Sequence, residues 1–121
     1  MSLLKITRLE EAISTAKRLA EDKLAAGENA DEFVEIGEID GAKLYVAAGK
    51  TIKVQISERL HENRRDVFMY LLEGEIEFTF ENGKKQIVEA GECFVLPKRV
   101  KHLCISRKMT IAIEGVYEKG F

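Results

Sequence analysis

Cysteine is scarce in this chain of 121 residues, which has only Cys93 and Cys104. Two are too few for a disulfide framework, and they point to a reduced, cytoplasmic protein rather than a secreted one. Long apolar runs are lacking as well. The longest, VFMYLL, is far too short to span a bilayer, and the opening MSLLKITRLEE holds no apolar stretch of signal-peptide length. An excess of one charge is also missing. A formal charge of −2 gives nothing that recruits nucleic acid or an anionic membrane, so neither is expected as a partner. Tryptophan is absent, and Asn and Gln together number five, whereas Glu and Lys abound. That balance leans toward a thermophilic source and says nothing of function. The length suits a single domain with a core large enough to fold without staples. No internal repeat, linker or low-complexity segment interrupts it.

Two patterns divide the chain. Over residues 7–26, Leu9, Ala12, Ile13, Ala16, Leu19, Ala20 and Leu24 recur at helical spacing, with charges on the opposite side. Thr7 and Glu10 have the spacing of a capping box, and Gly27 is a natural stop. Such a helix must bury its apolar stripe on its own sheet or on a partner. From residue 33 the period becomes two. The expected strands are KLYVAA, TIKVQIS, VFMYLLE, EIEFTFE, KKQIVE, ECFVLP, HLCIS and MTIAIEGV, punctuated by Asp40-Gly41, Gly49, Gly74, Asn82-Gly83 and Gly91. Asn82-Gly83 predicts a two-residue hairpin turn. Eight short strands in so few residues predict an all-β antiparallel sandwich or barrel.

The two histidines, His61 in ERLHENRRDVFMYLLEG and His102 in GECFVLPKRVKH, carry the functional signal. In the second stretch five residues separate Gly91 from Pro97 and four separate Pro97 from His102. This resembles the second motif of the cupin superfamily, Gly-x5-Pro-x-Gly-x2-His, with Arg99 at the inner glycine. The first stretch resembles the other cupin motif, in which His-x-His precedes a Glu seven residues before a glycine. Counting back from Gly74 puts Val67 at the Glu position, Asn63 at the second His and His61 at the first. The resemblance spans roughly residues 40–116 and implies a small single-domain cupin with a degenerate metal motif. The expected architecture is an N-terminal amphipathic helix in residues 1–30 and a double-stranded β-helix, or jelly-roll barrel, over 31–121.

The same resemblance places His61 and His102 at metal-ligand positions. The family's usual three imidazoles and one carboxylate suit a divalent transition metal such as zinc, iron, manganese or nickel. Here the carboxylate position is Val67, and Asn63 offers a neutral amide. Weak candidates for a third ligand are Asn63, Asp66 if a bulge re-aims it, and Cys104, two residues beyond His102 on the same strand face. Without a metal, the histidines serve as hydrogen-bonding groups that orient a ligand.

If the two motif loops meet at the barrel mouth, Arg59, Arg64, Arg65, Lys98, Arg99 and Lys101 gather around it. Arginine forks suit carboxylate or phosphate, so the expected ligand is a small anion held by His61, Asn63, His102, Met69, Tyr70, Arg65 and Arg99. Val67, Met69 and Leu71 alternate with Phe68, Tyr70 and Leu72, so both faces of that strand are apolar, which suggests a homodimer. Two alternatives stand beside ligand binding. One is a metal-dependent enzyme (dioxygenase, isomerase or decarboxylase) using His61 and His102. The other is a regulatory or assembly module acting through the N-terminal helix.

Overall fold

A computed structural model describes residues 3–54 and 60–117. Arg59 and the last residues of TIKVQIS lie outside them. The helix α1 (Leu9–Ala25) is followed by β1 (Ala30–Ile39), β2 (Ala42–Lys50), β3 (Val67–Glu73), β4 (Glu75–Phe80), β5 (Lys85–Glu89), β6 (Cys93–Leu96), β7 (His102–Ile105) and β8 (Thr110–Tyr117). The strands form a five-stranded sheet in the order β1-β2-β8-β3-β6 and a three-stranded sheet in the order β5-β4-β7, all antiparallel. The architecture is the expected jelly roll with one N-terminal helix.

The helix buries its stripe on its own chain. Ala12, Ala16 and Ala20 share a core with Ala30, Val46, Ala48 and Ile111 on the outer face of the larger sheet. Alanine at every fourth position leaves no bulk between helix and strands, so the two can approach closely. Lys17 reaches Glu73 at 3.2 Å across the same junction. The capping box does not form. Arg8 is the N-cap, and its guanidinium has no acceptor with which to cap, while the Thr7 hydroxyl donates to the Ile36 carbonyl at 3.3 Å. At the other end, the amides of Gly27 and Glu28 donate to the carbonyls of Leu24 (2.9 Å) and Lys23 (3.0 Å), the paired bonds of a Schellman stop.

Seven of the eight expected strands are present as β2 to β8. The exception is TIKVQIS, whose described residues 51–54 are not strand. The reason is Asn29: its Oδ1 accepts the amides of Ile52 (2.8 Å) and Lys53 (2.9 Å), and its Nδ2 donates to the Lys53 carbonyl at 2.9 Å. A side chain has taken the place of a ladder partner. Conversely, β1, unnamed among the expected strands, pairs along β2 over nearly its whole length. The hairpin at Asn82-Gly83 also differs. Phe80 pairs with Lys84 through a 2.9 Å amide–carbonyl bond, leaving the three residues Glu81, Asn82 and Gly83 as the loop, with Gly83 at φ +81°.

Between the sheets lies a second core of Val67, Leu71, Ile76, Phe78, Val88, Leu96 and Ala112. Burial of each large aliphatic or aromatic side chain there contributes about 1.5–3 kcal/mol. Val67, Ile76, Phe78, Leu96 and Ala112 of this core also border a hollow toward one end of the barrel. Among the described residues, no helix is long and apolar enough to cross a membrane.

Candidate functional site

The hollow end is a cavity of about 390 Å³. Its wall includes Val67 and Met69 from β3, Ile76 and Phe78 from β4, His102 and Cys104 from β7, Ala112 and Glu114 from β8, Asp31 from β1, and His61 and Asn63 from the segment before β3. Volume and mainly apolar lining are those of a small-molecule site.

The segment carrying His61 is held to β7 by main chain. His61 and His102 exchange both amide–carbonyl bonds, at 2.7 and 2.8 Å, as an isolated antiparallel bridge. Residues so paired present their side chains on the same face, so the two imidazoles stand side by side. Two further bonds fasten the loops: the Arg99 amide donates to the Asn63 carbonyl at 2.9 Å, and the Lys98 amide to Asp66 Oδ1 at 2.8 Å. Arg99 has φ +67°. It occupies the left-handed conformation for which the motif's inner glycine is suited.

His102 is 6% exposed. Its Nδ1 lies 2.9 Å from the Val100 carbonyl, which can only accept, so Nδ1 carries the proton. In the neutral ring Nε2 is then a bare acceptor. Among the described residues it has no protein partner, and no fully buried polar side-chain atom is left unsatisfied, so it opens on the cavity. The ring also meets Phe78 edge-on, with centroids 6.0 Å apart. His61 is exposed at the mouth.

His61, Asn63, His102, Met69 and Cys104 therefore share one wall. Tyr70, Arg65, Arg99 and Asp66 are not part of it. Tyr70 alternates with Met69 and faces outward, and Asp66 turns to the Lys98 amide. The basic cluster thus does not reach the cavity: among the described residues, the wall's charged side chains are Asp31, Glu114 and Lys50. The anionic ligand expected from those arginines loses its geometric basis.

Asp31 and Glu114 were not singled out from the sequence. Burial pushes the Glu114 carboxyl up to about 7, with repulsion from Asp31 adding to it. Asp31 is raised in the same direction by burial and then by Glu32. Water reaches Asp31 through the mouth, yet the surrounding wall removes enough of its solvation to disfavour the charge. The available signal was Glu114 inside the apolar run TIAIEGV, on the parity of Thr110 and Ala112.

The family model of the cupin domain matches residues 50–112. The chain belongs to the cupin family. Among solved structures, protein NMB1881 from Neisseria meningitidis superposes with a TM-score of 0.66 at 16% identity, over 93% of this chain and 99% of its own. Ectoine synthase from P. lautus does so at 0.66 and 17% identity, over 95% of this chain and 78% of its own. The EutQ protein of Clostridium difficile follows at 0.62 and 13% identity, over 83% and 79%. At these identities the likeness is one of fold. No curated protein matches the chain in sequence.

Cupins often bind metals, and the donors here can be tested against such a site. Two imidazoles are adjacent, but Val67 is hydrocarbon and Asn63 supplies a neutral amide. Among the described residues, no three His, Cys, Asp or Glu side chains converge as a ligand set. The donors of this cupin's wall do not fit the family's metal centre.

Proposed function

We propose that this cupin binds a small molecule in its barrel, with His61, Asn63 and His102 as polar anchors in an apolar cavity, and that binding does not depend on a metal. The observation that carries this reading is His102: a nearly buried ring, fixed by the Val100 carbonyl, whose second nitrogen faces a cavity of about 390 Å³ without a protein partner. That nitrogen is open to the cavity, where a ligand donor or an ordered water can meet it. The test is thermal denaturation of the full chain against a library of small metabolites. A ligand at a hundredfold its Kd should stabilise by about 2.7 kcal/mol, and His102→Ala should remove the shift.

A metal-dependent enzyme would be supported instead by one result. That is near-stoichiometric transition metal in protein purified without chelator or affinity-column metal, lost on His61→Ala combined with His102→Ala. Action through the N-terminal helix has less support, because its small-residue stripe is already covered by the chain's own sheet.

The reading extends to assembly and place. Phe68 is 43% exposed and Val95 60%, and with Tyr70 and Cys93 they form an uncharged outer face on β3 and β6. An uncharged patch is self-complementary across a twofold axis, since no like charges meet there, and a second copy of the chain is the partner we assign to it. The scarcity of cysteine supports a cytoplasmic setting.

A further inference from the structure

A second hollow, of about 280 Å³, lies where the two sheets part, between the edge strands β5 and β6. Phe78, Phe80 and Val88 face it from the smaller sheet and Phe94 and Leu96 from the larger, and Gln86 on β5 is the polar side chain of this groove. Phe78 and Leu96 border the histidine cavity too, so they divide the two hollows. β6 also offers backbone. Its sheet neighbour is β3, and among the described residues its other edge pairs with no strand. Such edges are usually guarded by charge, proline or a bulge. The far edge of the same sheet, β1, carries Asp31, Glu32, Glu35 and Glu38, whereas β6 carries no charge at all.

The chain holds a segment of matching character. Leu3, Leu4 and Ile6 are 90%, 73% and 82% exposed, in a stretch before α1 that is neither helix nor strand. In extended backbone Leu4 and Ile6 share one side. This arm cannot fill its own groove. The Thr7 hydroxyl fastens it to the Ile36 carbonyl on β1, and from Leu3 to Thr7 the chain spans at most about 14 Å. The four strand spacings from β1 to β6, at about 4.8 Å each, come to about 19 Å. The charges are complementary as well. Among the described residues, Lys5 in the arm and Arg8 behind it make no ion pair, and neither do Glu89 and Glu92, where β5 turns into β6.

We propose that the N-terminal arm, residues 3–7, of a second copy of this chain docks in the groove between β5 and β6. Its Leu4 and Ile6 side chains enter between the sheets, its backbone runs along the free edge of β6, and its cations meet Glu89 and Glu92. The inference rests on the homodimer reading and names the segment that ties the copies together. Across a twofold axis the exchange is reciprocal, so each dimer holds two filled grooves. β6 then serves both contacts, its outer face against the partner's sheet and its edge against the partner's arm.

The test places the photo-crosslinking residue benzoylphenylalanine at position 6 of the full chain. Equal amounts of light and nitrogen-15-labelled protein are mixed, irradiated, digested and mapped by mass spectrometry. Crosslinks should join light chains to heavy ones and end on β5 or β6. In sedimentation, Leu4→Asp combined with Ile6→Asp should raise the dimer dissociation constant at least tenfold, and Gln86→Lys, at an exposed position in the groove, should raise it as well. The arm belongs to no core cluster, so an unchanged melting temperature of the monomer serves as the folding control. Crosslinks confined to one chain, crosslinks ending on other segments, or none at all overturn the proposal. A dimer that the arm variant leaves equally tight also overturns it, with the homodimer reading still standing. A wild-type monomer at every concentration overturns both.

Discussion

Glu114 exposes the energetics of single residues most directly. Its carboxyl keeps its proton to about 7 in the folded chain, against an ordinary value of 4.5. Between those values the folded state binds more protons than the unfolded one, so stability falls as pH rises through that window. The loss amounts to at most about 3 kcal/mol. Denaturant unfolding at pH 5, 6, 7 and 8 should show that decline in the wild type and a flatter profile in Glu114→Gln, with the variant the more stable at pH 8. A second residue works against its own backbone. Arg99 is held at φ +67°, where a β-carbon costs about 1 kcal/mol. Arg99→Gly should therefore raise stability by up to about 1 kcal/mol in the same assay and leave ligand binding unchanged.

At the scale of elements, the critical corner is Gly74, where the chain leaves β3 in one sheet and enters β4 in the other. It has φ +84°, and a β-carbon there would lie 2.7 Å from the Met109 carbonyl oxygen and 2.8 Å from the Cα of Thr110. The crowding comes from the start of β8, whose buried Thr110 hydroxyl accepts the Glu75 amide at 3.3 Å. Gly74→Ala should lower stability by more than about 2 kcal/mol, read as a shift in the denaturation midpoint. Most elements were legible because turn residues and alternation agree, as in Ile76 and Phe78 against Glu75 and Glu77. β1 escaped because ADEFVEIGEI interleaves acids with apolar residues and reads as a wet segment. Asp31 is a cavity residue all the same, since the hollow end of a barrel tolerates charge on an inward face. Parity alone cannot separate an inward carboxylate from a solvated one. The motif spacings were readable for the opposite reason: a fixed number of residues between turns returns each histidine to the same strand position.

At the scale of the whole molecule, an apolar face on β3 and β6 is left uncovered among the described residues. α1 covers the outer side of β1, β2 and β8, whereas Phe68, Tyr70, Cys93 and Val95 on β3 and β6 remain bare. Light scattering after size exclusion should give a dimer mass for the wild type. Phe68→Glu combined with Val95→Lys should give a monomer that keeps its strand signal by circular dichroism, since neither side chain is part of a core cluster. A wild-type monomer would remove the dimer reading while leaving the cavity untouched.

The bridge between His61 and His102 bears on how such a site can change. The cradle is stitched main chain to main chain, by the paired amides of residues 61 and 102 and by the Arg99 amide on the Asn63 carbonyl. None of these bonds depends on which side chain projects from the segment. An imidazole can give way to an amide at 63, or a carboxylate to a valine at 67, and the walls still stand. Such a pocket is inherited as a shape, and its chemistry can be rewritten one side chain at a time without passing through an unfolded protein.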